Sequence, residues 1–404
     1  MVATTLDYTQ SRYGAAGDGA FDGVVRLSVG GLAGTGTLLY DGITLLTAAH
    51  LFANGTTGVR VMFDTAAGAQ TLQASRVRLH PQYDPRSSNN DLALVTLAMA
   101  APVTANRHEL YRERDEVGQR FDLVGYGRPG TGTSGRDTSY SGPPLRLAAA
   151  NVADADIGQL AAFNNTILAR NPVSGSQFVA DFDDGSAARD AFAVLAGIAG
   201  TGLGADEGFI TSGDSGGPAL IGARVAGVAS YSGSLSSGGV RPDFDGTVNS
   251  TFGEIGAWQR VSAFQQFIDA AIREDQLAAG APRTPAEVQR SVAEGNSGIR
   301  MAWFLVGFSG ERTTPEQVVS VAYRTLDGTA TAGEDYLPVS GRLNLYPGEA
   351  HVPVGVELIG DTRAEGNETL LLEIFDPVGG GFAGGAVTLT AIRTIVDDDL
   401  GPPG

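Results

Sequence analysis

Thr211-Ser212-Gly213-Asp214-Ser215-Gly216-Gly217-Pro218 is the stretch on which the reading of this chain turns. Glycines on both sides of one serine let the backbone bend sharply. They also leave room for a carbonyl group to approach the amides of Gly213 and Ser215. Acyl transfer by serine needs a nucleophile, donors for an oxyanion, a base in reach and a group that orients the base. This string offers the first two. An ordinary Gly/Ser loop would explain a bare G-x-S-G, but it is a poor account of all eight residues.

The chain has only four histidines: His50, His80, His108 and His351. His50 ends the apolar run Leu46-Thr47-Ala48-Ala49-His50 and is the candidate base. A lone histidine after a strand is more often structural, and it is the serine string that reverses the preference. Asp91, in Asn89-Asn90-Asp91-Leu92-Ala93-Leu94, is the candidate orienting group. An aspartate opening an apolar strand is usually a turn residue. Here it can set a buried carboxylate behind an imidazole, which fixes the tautomer and stabilises the imidazolium.

Outward from these motifs the chain reads as mostly β. Segments 24–28, 37–48, 77–79, 92–97, 121–126 and 225–231 are short, partly β-branched or aromatic, and bounded by turn residues. Their spacing predicts a barrel or sandwich. Val261, Phe264, Ile268, Ala271 and Ile272 fall on one helical face. The polar stretch 273–289, with Gly280, Pro282 and Pro285, is the candidate linker. Alternation then resumes: Val319, Val321 and Tyr323 share a face, as do Val352, Val354, Val356 and Leu358, and Leu370, Leu372 and Ile374. That predicts a second β domain, about the size of a seven-strand sandwich. Residues 159–208, rich in Ala, Gly, Asn and Asp, carry no clear period.

The three motifs together resemble the trypsin/chymotrypsin family of serine peptidases, whose chain order is also His, Asp, Ser. The resemblance covers about residues 20–272. Gly34-Thr35-Gly36-Thr37-Leu38-Leu39 is similar to the strand before the histidine turn, and His80-Pro81-Gln82-Tyr83-Asp84 to the loop before the aspartate strand. Gly125-Tyr126-Gly127 stands where the family usually has Gly-Trp-Gly. Ser230-Tyr231-Ser232-Gly233 stands near the substrate-pairing strand, and 261–272 resembles the closing helix. The resemblance implies two packed six-stranded Greek-key barrels over 13–272, with the active site between them. It implies His50, Asp91 and Ser215 as the triad, and the amides of Gly213 and Ser215 as the oxyanion hole. Phe209, six residues before the nucleophile, would lie at the base of the primary specificity pocket, between walls from Ser232 and Gly256. An aspartate there would select Arg or Lys; phenylalanine implies cleavage after small to medium apolar residues. Asp206 and Glu207 lie nearby in the chain.

Two features depart from the family. There is no cysteine, so the usual disulfides are missing and Leu51 follows the histidine. The usual Ile-Val-Gly-Gly terminus is not visible either. In relatives that terminus pairs with the aspartate before the nucleophile, so Asp214 is the candidate for an activation salt bridge, and Arg12-Tyr13 is the candidate processing site. Asp214 favours this branch over the one that carries asparagine there.

The C-terminal part, 288–400 after a linker at 273–287, resembles a Calx-β domain, which implies an Ig-like β-sandwich. The matching strings are Val292-Ala293-Glu294-Gly295, Asp327-Gly328-Thr329-Ala330-Thr331-Ala332-Gly333-Glu334-Asp335-Tyr336, Tyr346-Pro347-Gly348-Glu349, 361–368 and Asp397-Asp398-Asp399. By motif position the candidate Ca²⁺ ligands are Glu294, Asp335, Asp361, Glu365, Glu368, Asp397, Asp398 and Asp399. Loop carboxylates suit this ion, which takes 6–8 oxygens. Gly360-Asp361-Thr362 stands where metal-rich relatives carry a run of acids, which implies one site or weak sites rather than a full cluster.

Charge agrees with that division. The formal net charge is −18, and residues 288–404, with 7 Arg against 16 Asp plus Glu, carry −9 of it. Such a surface does not suit nucleic acid. No run approaches the ~20 apolar residues of a membrane span. Met1-Val2-Ala3-Thr4-Thr5-Leu6-Asp7 lacks the basic start and apolar run of a secretory signal. The reading favoured is an extracellular or cell-surface serine endopeptidase of bacterial type. It acts on proteins or peptides, and a surface or matrix partner is expected for the Calx-β part. The alternative is an inert protease-like scaffold acting in calcium-dependent adhesion, against which the intact triad speaks. A G-x-S-x-G esterase is disfavoured, because there serine precedes histidine.

Overall fold

The computed structural model describes residues 2–15, 19–162, 171–200, 202–314 and 317–399. The chain divides into two compact units, Met1–Ile268 and Asp269–Gly404.

The first unit opens with a closed barrel. Its strands run, in order around the wall, Val24–Val29, Leu32–Leu38, Thr44–Thr47, Ala93–Leu97, Gly68–Leu79 and Arg60–Thr65, the last pairing back onto the first. Alternation sends Val25, Leu27 and Val29 inward, where they meet Leu38, Leu45, Phe63 and Val95. The segment 37–48 is two strands rather than one. Asp41-Gly42 breaks it: Gly42 has φ 71°, and the Asp41 carboxylate accepts the amides of Ile43 (3.3 Å) and Thr44 (3.0 Å) and the Thr44 hydroxyl (2.6 Å). An Asp-Gly pair between apolar runs is a turn signal that outweighs the apolar continuity.

The second half of this unit is a seven-stranded antiparallel sheet. Its order is Leu147–Val152, Arg120–Gly125, Pro218–Ile221, Arg224–Ser234, Glu254–Arg260, Gln177–Asp181 and Ala155–Asp156. It occupies the place of the second barrel; no closing pair joins its end strands among the described residues. Its core is aromatic, with Trp258 stacked on Phe178 (centroids 5.7 Å apart) and edge-on to Phe121 (5.1 Å). Such pairs add about 0.5–1.5 kcal/mol each beyond area burial. The helix Val261–Ala278 follows, and all five residues of its predicted apolar face are buried. It continues past Ile272, so the start of the stretch read as a linker is helical.

The second unit is a sandwich. One sheet orders Ser291–Ala293, Thr388–Val396, Glu368–Val378, Val319–Asp327 and Ser340–Leu345; the facing pair is Gly298–Val306 with Val352–Gly360. The three alternating sets read from the sequence are buried. Within this unit Arg273 donates to both Glu349 oxygens (2.6 and 2.5 Å) and to the Asn344 carbonyl (2.6 Å).

Glu254 gives the first unit a titratable weak point. It is fully buried, and its Oε1 accepts the amides of Asn249, Ser250 and Thr251 at 2.7, 2.6 and 3.0 Å, while Oε2 has no partner. Burial pushes its pKa from 4.5 up to about 7. Between those values the folded state holds a proton that the unfolded state has lost, so stability falls as pH rises through the window, by about 3 kcal/mol in all. Glu254→Gln keeps the acceptor and removes the charge. Its melting temperature should match the parent's near pH 4.5 and exceed it at pH 7.5; an offset that does not change with pH would contradict this account.

Candidate active site

Strand Thr44–Thr47 runs straight into a short 3-10 turn, Ala49–Phe52. Ala49, Leu51 and Phe52 point into the core, leaving the His50 side chain 33% exposed. Strand Ala93–Leu97 pairs with Thr44–Thr47, with Ala93 opposite Thr47, so the residues just before it arrive beside His50. One of them is Asp91, whose side chain is 1% exposed. Its Oδ1 accepts the His50 amide at 2.8 Å and its Oδ2 pairs with His50 Nδ1 at 2.7 Å. A carboxylate can only accept, so Nδ1 carries the proton and, in the neutral ring, Nε2 is left as an acceptor. Oδ2 takes a third donor, the Ser230 hydroxyl, at 2.5 Å. Within the string Ser230-Tyr231-Ser232-Gly233, nothing local to Ser230 marks it for this contact.

The nucleophile string folds into a tight loop before strand Pro218–Ile221. Gly213 has φ 103° and Gly216 φ 82°, both strained for any residue with a Cβ. At Gly216 a Cβ would also stand 2.0 Å from Thr47 Oγ1 and 2.4 Å from the Thr35 carbonyl. Ser215 is half-buried, and its carbonyl accepts the Thr35 amide at 2.9 Å. The amides of Asp214, Gly216 and Gly217 donate to Thr211, Ala229 and Asp214 carbonyls. Those of Gly213 and Ser215 donate to none among the described residues, which leaves two adjacent donors for an incoming oxygen.

Asp214 is 1% exposed and accepts the amides of Gly127 and Thr211, each at 2.8 Å. Burial pushes its pKa up; these two amides pull the other way. Val2, Ala3 and Thr4 are buried, and Ala3–Thr4 pairs antiparallel with Gly208–Phe209. Arg12 pairs with Asp206, while Tyr13 is 2% exposed with its hydroxyl on the Ala205 carbonyl. A core residue on the far side of the Arg12-Tyr13 bond makes that bond a poor processing site in the folded chain.

Phe209 is fully buried and stacks on Phe182, centroids 5.5 Å apart. Ser232 pairs with Gly256 across neighbouring strands, and a Cβ on Gly256 would lie 3.1 Å from the Phe209 ring. These three residues therefore lie together. The two carboxylates nearest in sequence are engaged elsewhere. Glu207 accepts the amides of Asp183 and Leu203, each at 2.6 Å, and Asp206 holds Arg12.

In the second unit, Glu294, Asp397 and Asp399 each bring an oxygen within 4.8 Å of the others, and so do Asp335, Glu365 and Glu368. Burial first, then Asp361, Asp397, Glu365 and Asp399, push the Glu294 pKa up to about 7. Asp399 Oδ2 is buried without a partner. Asp361 and Asp398 lie outside both groups; they accept backbone amides from Arg363 at 2.7 Å and Gly295 at 2.9 Å. The donor set is all oxygen and all acidic, which fits a hard divalent cation.

Residues 14–252 match the family model described as Trypsin, and residues 300–399 that of the Calx-beta domain. Serine protease 56 of Mus musculus is 39% identical over 87 residues, covering 20% of this chain and 14% of the relative. Sodium/calcium exchanger Calx of Drosophila melanogaster is 38% identical over 80 residues, 20% of this chain and 8% of the relative. The chain thus spans 14% or less of either curated relative. Both are animal proteins, which gives the bacterial-type expectation no support. Among solved structures, neuropsin, a serine protease of mouse brain, matches with TM-score 0.45 and 15% identity, over 63% of this chain and 96% of that one.

The contacts of Asp91 rank two substitutions. Asp91→Asn turns an amide N–H toward groups that now donate, so the imidazole must change tautomer or the Ser230 hydroxyl must turn, at a cost of about 1–3 kcal/mol. Ser230→Ala removes one donor and leaves two, and should cost about 0.5–1.5 kcal/mol. Urea unfolding of both variants tests the order, and a larger loss from Ser230→Ala would show that Asp91 is not the centre of this network.

Proposed function

The chain belongs to the trypsin family, and from that premise we propose that it is an active serine endopeptidase working through an acyl-enzyme on Ser215. The observation that carries the reading is the Asp91 carboxylate, which holds the ring and the backbone of His50 together. In this mechanism Ser215 Oγ attacks the scissile carbonyl carbon while His50 Nε2 takes its proton. The negative charge on the carbonyl oxygen is met by the amides of Gly213 and Ser215. The imidazolium, stabilised by Asp91, then protonates the leaving amine as the C–N bond breaks. Water, deprotonated by the same ring, releases the acyl group. Asp214 shapes the loop that presents the two amides and is the residue that would take a processed amino terminus in an activation salt bridge.

Specificity follows from the aromatic floor. Phe209, Ser232 and Gly256 would line the pocket; Asp206 and Glu207 are engaged elsewhere, and burying an unpaired guanidinium or ammonium against Phe209 would cost several kcal/mol. The preferred residue at the cleaved position is therefore small to medium and apolar. The C-terminal Calx-beta domain binds Ca²⁺ through the Glu294 and Asp335 clusters and contacts a surface or matrix partner, which suits an extracellular enzyme. When bound there, the ion neutralises crowded carboxylates; it takes no part in catalysis.

Ser215→Ala should keep the fold and lose nearly all turnover, and His50→Ala should do almost the same, because triad members act as a unit. Asp91→Asn should lower kcat on the order of 10⁴-fold. Turnover near the parent's in any of the three, or no labelling of Ser215 by a serine-directed phosphonate, would favour the inert scaffold. A peptide library varying Ala, Val, Leu, Phe and Arg at the cleaved position tests the pocket; a tenfold preference for Arg would put a carboxylate at its base. For the Calx-beta domain, calorimetry of the full chain should find Ca²⁺ binding that Glu294→Ala weakens, and unchanged binding in that variant would remove Glu294 from the ligand set.

A further inference from the structure

Residues 159–208, which carry no clear sequence period, bring acidic side chains together inside the first unit. Asp181 ends strand Gln177–Asp181, Asp183 follows it, and Asp190 caps the short helix Ala191–Ala196. All three are 2% exposed, and one oxygen from each lies within 4.8 Å of the others. Asp181 Oδ2 accepts the amides of Ala191 (2.5 Å) and Phe192 (3.2 Å). Asp190 accepts those of Ala193 (2.7 Å) and Gly200 (3.0 Å). Asp183 differs from both: its Oδ1 is buried with no hydrogen-bond partner.

Around this trio the charge is of one sign. Glu207 is fully buried and contacts the Asp183 amide, and Asp154 accepts the Asp181 amide at 3.1 Å. Burial pushes the Asp183 pKa far up, and the charges acting with it are all carboxylates: Asp181, Glu207, Asp190 and Asp184. Asp183 Oδ1 meets no donor among the described residues, so no protein group offsets a charge buried there. One ion of charge +2 satisfies all three oxygens at once. With only oxygen donors and no His or Cys, the chemistry selects a hard cation, and a carboxylate cage completed by water suits Ca²⁺ better than the strict octahedron of Mg²⁺.

We propose that Asp181, Asp183 and Asp190 form a Ca²⁺ site within the protease unit, separate from the acidic clusters of the C-terminal domain. Its place in the chain gives it a purpose. The segment 184–206 leaves Asp183 and returns at Glu207, directly before Gly208–Phe209 and the nucleophile string. Gly202 passes so close that a Cβ would lie 2.7 Å from that of Asp183. An ion here ties the whole excursion to the sheet and fixes the strand that carries Phe209.

The test uses the full chain carrying Glu294→Gln and Asp335→Asn, so that the C-terminal clusters are weakened, with Ca²⁺ alone as the probe. Asp183→Asn is the informative change, because it is isosteric and its buried Oδ1 has no hydrogen bond among the described residues to lose. In EDTA it should melt at the same temperature or higher, since the parent must there either bury a crowded charge or take up a proton on folding. In millimolar Ca²⁺ it should melt lower than its parent, and calorimetry should count one ion fewer per chain. Asp190→Asn keeps an acceptor for the Ala193 amide but loses the one for Gly200, so it is read by the ion count alone, which should also fall by one, and it stands in if Asp183→Asn does not fold. Equal ion counts in the parent and both variants, or a parent whose melting Ca²⁺ does not raise, would overturn the proposal.

Discussion

A carboxylate that is almost fully buried, Asp91, is the constraint on which the rest of the first unit depends. An unpaired charge in that position would be costly, and three donors from two distant parts of the chain offset it. Two come from His50, its amide and its ring. The third, the Ser230 hydroxyl, comes from the seven-stranded sheet. Barrel and sheet are thus registered to each other by the same atoms that orient the imidazole, so the geometry of the site and the packing of the two halves are one problem with one solution. Either half moving by an ångström would leave the carboxylate short of a donor.

A chain without cysteine must hold its loops by other means, and buried polar ties serve here. Arg146 is fully buried; it donates to the Ala15 carbonyl (3.1 and 2.9 Å), to the Asp64 carbonyl (2.9 Å) and to Asp22 (2.7 Å). That side chain fastens the entry of strand Leu147–Val152 to the amino-terminal segment and to the barrel. Thr35 does the same on a smaller scale. Its amide reaches Ser215, its hydroxyl reaches Gly213 (3.0 Å), and that hydroxyl accepts from Tyr126 (3.1 Å). Ties of this kind are strong only when every polar atom is met, and Arg146 and Thr35 come close to that.

The parts legible in the sequence were those whose signal is local. The string around Ser215 carries its own backbone demands, and the alternating sets of the sandwich need no knowledge of their neighbours. Phe209 could be found by counting from Ser215, though its stack on Phe182 could not. What escaped depends on distance along the chain. Asp154, Asp183 and Glu207 share one interior, yet Asp183 and Glu207 sit in an Asp-rich, period-free stretch where acids normally mean a solvated loop, and Asp154 lies outside it. The amino-terminal strand was missed because two residues, Ala3–Thr4, give no periodicity to read. The break at Asp41-Gly42 was visible and was overruled by the apolar residues around it.

The crowding at Gly216 has a bearing on how this sequence can drift. Every substitution at that codon adds an atom where Thr47 and Thr35 already stand, so the fold itself polices the position. The Ser215 side chain is under no such duty, for the recorded tie at that residue runs through its carbonyl. Selection for activity alone keeps the hydroxyl, whereas selection for folding keeps the glycine beside it. A descendant that had given up chemistry would shed the serine first and retain the glycine, and its loop would go on looking like that of a working enzyme.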